Sequence, residues 1–158
     1  KSLEFMLQAV GPTNGAMFLP SGMDEYTLGG YVNYDCGGEA ADILPDHLAA
    51  AATPPLADRE APLYLCDNNT LNHWLGDDWH YLADSVILAF PCRHDDETLA
   101  VVLLFRAADQ PFDDPTIELA ENLGPMLGEY LARIVRIHHR HLPGFDPDED
   151  PPEGPLPF

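Results

Sequence analysis

The sequence has few basic residues, few cysteines and no long apolar run, and each shortage excludes a class of protein. Lys and Arg together number 7 against 27 for Asp and Glu, which gives a formal net charge of -20. A surface this acidic repels the phosphate backbone of nucleic acids and anionic lipid headgroups, so we expect neither nucleic acid nor a membrane among the partners. No apolar run approaches the roughly 18 residues that a membrane-spanning helix requires.

Cysteine is scarce, with Cys36, Cys66 and Cys92 as the three in the chain. They are too few and too far apart for a disulfide framework, and an odd number leaves one thiol unpaired. This favours a reducing, cytoplasmic setting. The chain opens at Lys1 without a signal-peptide pattern, so we expect it to be a piece of a longer protein.

The composition is that of one folded domain followed by a tail. The chain has 158 residues and is 46% apolar, which is enough for a single hydrophobic core. After His141 it reads "LPGFDPDEDPPEGPLPF", a proline-rich acidic stretch that cannot bury enough surface to fold alone. We therefore expect a domain over residues 1–141 and a linker or disordered tail over 142–158, which implies a neighbouring effector domain.

Four stretches have the composition of strands. "GAMFLPSG" and "YTLGGYVNYD" flank turn-forming residues and predict a first hairpin, and "APLYLCD" predicts a short strand. The stretch "SVILAFPCRHDDETLAVVLLF", residues 85–105, is two apolar runs joined by a charged turn. Because these runs are apolar nearly throughout, we expect a central hairpin that is covered on both faces.

Three stretches that precede the central hairpin do not have the composition of strands. Residues 3–10 place apolar side chains on one helical face, and "EAADILPDHLAAAA" favours short helices that cover a sheet face. The polar and aromatic stretch "NNTLNHWLGDDWHYLAD" has no clean periodicity, so we expect a loop or a single helical turn there.

The last element is a long helix. Asp113 and Asp114 supply an N-cap, Pro115 suits the first turn, and Gly124-Pro125 predicts a kink. Apolar residues recur in two rows as far as Ile137, and two rows need two partners. The sheet can take one row, and a second helix, from another subunit in a homodimer, can take the other. This second row, the output row, consists of Leu119, Leu123, Met126, Tyr130 and Ile137.

The order of these elements resembles that of a GAF domain, and the likeness is most specific in "SVILAFPCRHDDETLAVVLLFRAADQPFDDPTIELAENLGPMLGEYLARI". The positions that carry it are Ser85, Pro91, the strand Leu99 to Phe105, the pair Phe112-Asp113 and the helix from Pro115. "GAMFLP" is similar to the first strand of the family, and the resemblance covers about residues 3–137.

The resemblance implies an α+β fold with a central antiparallel sheet of five or six strands, helices on one face and a ligand pocket on the other. It also implies a regulatory domain that binds a small molecule or dimerises, and that passes a signal through its terminal helices to an effector domain. We expect such a domain to have no catalytic activity of its own. The ligand-contacting residues we expect are Tyr31, Asn33, Cys36, Trp74, Trp79, His80, Tyr81 and Ser85.

Those aromatic side chains have a second interpretation. Trp74, Trp79, His80 and Tyr81 can form a pocket roof, since aromatic bodies supply apolar contact and their polar tips orient a ligand. They can equally fill the space above the sheet. Tyr31 and Asn33 share one strand face, which is either the pocket face or surface.

The ligand class stays open, and no cofactor is identified. The Asn-Lys-Phe-Asp-Glu signature of cyclic-nucleotide GAF domains is missing, and Lys1 is the one lysine of the chain. No cysteine precedes a histidine, as in GAF domains that attach a bilin. One alternative is a GAF enzyme that reduces free methionine sulfoxide with two thiols. Another is a dimerisation module without a ligand.

Histidines suggest a further alternative, a metal site at His94, His138, His139 and His141. Adjacent helical residues point about 100 degrees apart, so His138 and His139 cannot easily share one ion. A cationic helix end that suits the helix dipole explains the same residues, so we expect no metal.

Overall fold

Five antiparallel strands form one sheet in the part of the chain that the computed structural model describes. That part comprises residues 8, 10, 11, 13–23, 25–32, 46 and 48–140, without the side chains of residues 51 and 138–140. The strands are β1 (Asn14–Gly22), β2 (Glu25–Val32), β3 (Leu63–Leu65), β4 (Ser85–His94) and β5 (Glu97–Ala107). Their order across the sheet is β2-β1-β5-β4-β3. The first hairpin, the short strand and the central hairpin are confirmed.

The central hairpin is buried on both faces, as its apolar runs predicted. Alternate residues of β4 point to opposite sides: Val86 and Leu88 belong to one buried cluster, whereas Ile87 and Ala89 belong to the other. β4 and β5 each have a neighbouring strand on both sides, so their backbone groups are paired within the sheet.

One face of the sheet, the α3 face, is covered by the long final helix. This helix, α3, spans Asp114–Arg140 and contains Pro125 in a continuous helical run. Its Ala120 and Leu123 pack with Phe90 and Val102 of the sheet. Asp113 caps it, since its carboxylate accepts a hydrogen bond from the backbone N–H of Thr116 at 3.0 Å. The predicted helix and its cap are confirmed.

The opposite face, the α1–α2 face, is covered by short helices. They are a π-helical segment (Leu48–Ala52), α1 (Thr53–Ala57), α2 (Asn68–Leu75) and a 3₁₀ helix (Gly76–Leu82). Their leucines fill the layer over Ile87, Ala89 and Leu103, and they are Leu48, Leu56, Leu71, Leu75 and Leu82. The α+β class and the antiparallel sheet are confirmed.

The stretch from residue 68 to residue 82 corrects the sequence-based interpretation, because it is helical throughout. The Asp67 carboxylate accepts the backbone N–H of Thr70 at 2.8 Å and so caps α2. Asn68 is held to Asp84 by hydrogen bonds of 3.0 Å and 3.2 Å. With its start fixed in this way, two turns form although the exposed side is polar. The aromatic residues of this stretch interrupt the apolar pattern, so its buried leucines were not recognised as one row of a helix.

Several predictions concern residues outside the described part of the chain. Residues 3–7 and 9 of the predicted helix over 3–10, the predicted helical start before residue 46 and the tail over 142–158 belong to this group, whereas residues 8 and 10 are described and helical. No helix within the described ranges is long and apolar enough to span a membrane.

Candidate ligand site

A cavity of about 460 Å³ opens on the α1–α2 face, between the edge strand β2 and the π-helical segment. The described residues that line it are Ser21, Glu25, Tyr26, Thr27, Leu28, Asp46, Ala49 and Ala50. Tyr26 and Ala49 also pack against the buried cluster below, so the cavity lies at the margin of the core. Its volume falls in the range of pockets that hold small organic molecules, roughly 300–1,000 Å³.

The cavity lining combines an apolar wall with hydroxyls and two carboxylates. Leu28, Ala49 and Ala50 supply the apolar part, and the carboxylates of Glu25 and Asp46 are exposed to solvent. Among the lining residues that the structure describes there is no Lys, Arg or His. In a chain with a net charge of -20, such a lining disfavours anions and tolerates neutral or cationic molecules.

A β-bulge determines which residues of β2 face this cavity. Met17 of β1 pairs with Gly30, but the next residue, Phe18, pairs with Leu28, so Gly29 has no partner across the ladder. The extra residue resets the alternation of side chains along β2. As a result Tyr26 and Tyr31, which are an odd number of residues apart, both pack on the α1–α2 face.

The two tryptophans of the predicted pocket roof pack above the sheet. Trp74 and Trp79 are half-buried and pack against the leucine-rich cluster on the α1–α2 face, and Tyr31 packs there as well. None of these three lines the described cavity. For the two tryptophans, the geometry favours the space-filling interpretation over ligand contact.

The other predicted contacts are dispersed. His80 and Tyr81 are exposed and stack on each other, with ring centroids 4.2 Å apart, and the Nδ1 of His80 lies 2.7 Å from the carbonyl oxygen of Asp77. Ser85 opens β4 opposite Ala107. Asn33 and Cys36 lie outside the described residues. The structure thus brings none of the described predicted residues into the cavity, and the residues that line it were missed.

The two described cysteines stand in different surroundings. Cys66 is exposed, whereas Cys92 is fully buried in the cluster on the α3 face. Burial raises the pKa of the Cys92 thiol to about 12, because the charged thiolate would lose its hydration. Cys92 therefore stays protonated, and the sheet separates it from the cavity.

No metal centre forms within the described ranges, where no three His, Cys, Asp or Glu residues are grouped to hold an ion. The Nε2 atom of His94 lies 3.2 Å from the Oδ2 atom of Asp95. The side chains of His138 and His139, and the whole of His141, lie outside the described part.

Part of the output row is buried against the sheet and part of it is exposed. Leu123 is buried in the cluster on the α3 face, which corrects its assignment to an outward surface, and Leu119 packs beside that cluster. The reason is that α3 lies close to the backbone of β4, so more than one row of its side chains reaches the sheet. Met126, Tyr130 and Ile137 are exposed.

The fold of the chain matches solved structures. A GAF domain/HD domain protein from Geobacter sulfurreducens superposes with a TM-score of 0.67 at 13% identity, over 85% of this chain and 90% of that one. The chain has the GAF fold. The GAF-B domain of DevS from Mycobacterium smegmatis gives a TM-score of 0.62 at 14% identity, over 88% and 93% of the two chains.

A third similar structure is a domain of a protein from Sinorhizobium meliloti that is described as a two-component sensor histidine kinase. Its TM-score is 0.66 at 13% identity, over 88% of this chain and 92% of that one. No protein-family model and no curated protein matches the sequence. The predicted resemblance to GAF domains is confirmed in three dimensions, where it is a likeness of fold.

Proposed function

We propose that this GAF domain is a regulatory sensor that binds a small molecule in the cavity between β2 and the π-helical segment. The observation that carries the proposal is the cavity itself, since it has the size of a small-molecule pocket and combines an apolar wall with hydroxyl and carboxylate groups. That one similar domain belongs to a protein described as a sensor histidine kinase supports a role in signalling.

The ligand is neutral or cationic in this proposal. An anionic nucleotide would meet Glu25 and Asp46 with no described basic side chain in the lining to offset them. The whole chain adds a repulsive field for anions. A cation would gain from both carboxylates, and Tyr26 offers an aromatic ring beside them.

The output runs through α3 to an effector domain. Exposed apolar side chains on α3 (Met126, Tyr130, Ile134 and Ile137) leave a surface for a second helix, and we propose that this surface pairs two copies of the domain. If α3 has two arrangements and the ligand binds one of them more tightly, ligand binding would raise the population of that arrangement.

A thermal-shift screen tests the binding step. The wild-type chain is screened against neutral metabolites, organic amines and cyclic GMP, and hits are repeated with Ala50→Trp, whose indole would fill the cavity. Ala108→Trp adds the same side chain at an exposed position outside the described cavity lining and serves as the control.

We expect at least one neutral or cationic compound to stabilise the wild type and Ala108→Trp but not Ala50→Trp. Stabilisation of all three proteins alike would place binding elsewhere and contradict the proposal. Selective stabilisation by cyclic GMP would overturn the inferred ligand charge while leaving the cavity as the site.

The ligand-free module remains the second candidate, because leucines and tryptophans already fill the sheet face below α2. It predicts no hit that depends on Ala50. We propose no catalytic activity for the domain. The burial of Cys92 on the α3 face, away from the cavity, disfavours it as a reacting thiol at that site. Thiol-dependent reduction of methionine sulfoxide that is lost in single Cys→Ser variants would establish the enzyme alternative instead.

A further inference from the structure

We propose that Arg93 and Thr98, at the tip of the β4–β5 hairpin, couple the cavity side of the sheet to α3. This inference rests on the proposed function, since it names the route by which ligand binding in the cavity would change the position of α3. It rests on the geometry of the hairpin tip for its evidence.

The first half of the link joins the hairpin to α1. Nη1 of Arg93 donates to the carbonyl oxygen of Ala57 at 3.0 Å, and the hydroxyl of Thr98 donates to the same oxygen at 2.7 Å. Ala57 is the last residue of α1, where helix carbonyls lack partners within the helix and carry partial negative charge. A guanidinium suits this position because its hydrogen bonds are charge-assisted.

This end of α1 is joined directly to the cavity. The π-helical segment ends at Ala52 and α1 begins at Thr53, so the two form one continuous helical stretch. Ala49 and Ala50 of that stretch line the cavity. A ligand that pushed on these two residues would therefore displace the carbonyl that Arg93 and Thr98 hold.

A second β-bulge makes the link possible. Cys92 pairs with Ala100, but Arg93 pairs with Thr98, so Leu99 has no partner in the ladder. Val101 and Leu103 point to the α1–α2 face, and strict alternation would turn Thr98 to the α3 face. The bulge reverses this, because Thr98 reaches Ala57 while Leu99 lines a shallow cavity with Ala132 and Val135 of α3.

The second half of the link joins the hairpin to α3. Nη2 of Arg93 donates to the carbonyl oxygen of Asp96 in the turn at 2.8 Å, and the Asp95 carboxylate lies 3.8 Å from Nη2 of Arg136. The backbone of Arg93 also lies directly against α3, because a Cβ added at Gly128 would clash with the Arg93 carbonyl oxygen. With no side chain between them, a displacement of Arg93 is transmitted to the helix.

Hydrogen exchange measured by mass spectrometry on the full chain tests the link without any ligand. Ala50→Trp perturbs the cavity, and the readout is exchange in α3 over residues 129–137. We expect Ala50→Trp to change exchange there by about threefold or more. The change should disappear when Ala50→Trp is combined with Arg93→Met, and shrink when it is combined with Thr98→Val.

Arg106→Met is the matched control, because Arg106 also leaves the sheet as a half-buried guanidinium but donates to the carbonyl of Pro111. The effect of Ala50→Trp should persist in that background. Circular dichroism shows whether each variant is folded. If Arg93→Met does not fold, the Thr98→Val background alone decides the test.

A change in α3 that persists in both the Arg93→Met and Thr98→Val backgrounds would overturn the link, as would the absence of any change with Ala50→Trp alone. These outcomes differ from a failure of the proposed function. If exchange in α3 responds to Ala50→Trp but no compound binds in the thermal-shift screen, the link stands and the sensor role is removed. If a compound binds in the cavity but exchange in α3 does not respond, the sensor role stands and the link is removed.

Discussion

At the scale of single residues, two glycines allow α3 to lie directly on the backbone of β4. A Cβ added at Gly124 would lie 2.7 Å from the carbonyl oxygen of Pro91, and one at Gly128 still closer to that of Arg93. Both contacts are with backbone atoms, which cannot rotate away. The sequence shows the pair as G-x-x-x-G but does not show which surface it fits, because that depends on the height of the helix above the sheet.

Gly128→Ala should destabilise the domain by roughly 1–3 kcal/mol, because the methyl group forces α3 away from the strand. The free energy of unfolding in urea measures this. Glu121→Ala on the exposed side of the same helix should change it by less than about 0.5 kcal/mol. At a helical site with free space, replacing Gly by Ala stabilises the helix. A Gly128→Ala variant that is as stable as the wild type, or more stable, would therefore contradict the close contact.

Cys92 should not react with a chromogenic disulfide reagent in the native state. Its thiol is buried and its pKa is raised to about 12, so almost no thiolate exists at mildly alkaline pH. The test uses a variant with Cys36→Ser and Cys66→Ser, in which Cys92 is the remaining thiol. Full reaction is expected once the chain is unfolded in guanidinium, and rapid labelling of the folded chain would show that the thiol is accessible.

At the scale of elements, side-chain caps explain where α2 and α3 begin. The carboxylates of Asp67 and Asp113 each accept hydrogen bonds from the hydroxyl and the backbone N–H of the threonine three residues later. The cap before α3 could be predicted because a proline and a long apolar pattern follow it. The cap before α2 was missed, because the stretch after it alternates polar and aromatic residues and conceals the buried leucines.

The Asp113 cap should make stability depend on pH. Its hydrogen bonds from the side chain and backbone of Thr116 lower the pKa of Asp113 below its usual value. A lowered folded-state pKa means that the stabilisation is complete above the unfolded pKa of about 3.9 and is lost as the pH falls through the folded value. The advantage of the wild type over Asp113→Asn, measured by chemical denaturation, should therefore vanish in acid.

Asp67→Asn provides an independent repeat, since the pKa of Asp67 is lowered by the corresponding bonds from Thr70. A difference between wild type and Asp113→Asn that stayed constant from neutral pH into this acid range would show that the charge of the carboxylate contributes nothing at the cap.

At the scale of the whole molecule, the two hairpins and the cover on both faces of the central hairpin follow from patterns in the sequence, whereas the position of the cavity does not. Apolar runs and turn residues identify the central hairpin, and its fully apolar strands require cover on both faces. The cavity depends on the bulge at Gly29, which turns Tyr26 to the same face as Tyr31. Strict alternation along β2 would turn Tyr26 to the opposite face, so the sequence alone does not show that Tyr26 lines this cavity.

Self-association should depend on the exposed part of α3 and not on its buried part. Tyr130→Glu should weaken any dimer while the domain stays folded, because Tyr130 is 53% exposed. Leu123→Glu should unfold the domain, since its side chain is 8% exposed and belongs to the core. Analytical ultracentrifugation and circular dichroism together separate the two effects. A Tyr130→Glu variant that associates as strongly as the wild type would exclude this surface as the interface.

Native mass spectrometry tests the central claim, that the cavity beside β2 holds a small molecule, most directly. Wild type, Ala50→Trp and Ala108→Trp are each incubated with cell extract, purified and measured intact, and any released compound is identified after denaturation. We expect the same noncovalent adduct on the wild type and Ala108→Trp and none on Ala50→Trp. A bare wild-type chain, or an adduct that Ala50→Trp retains, would contradict a ligand site in this cavity.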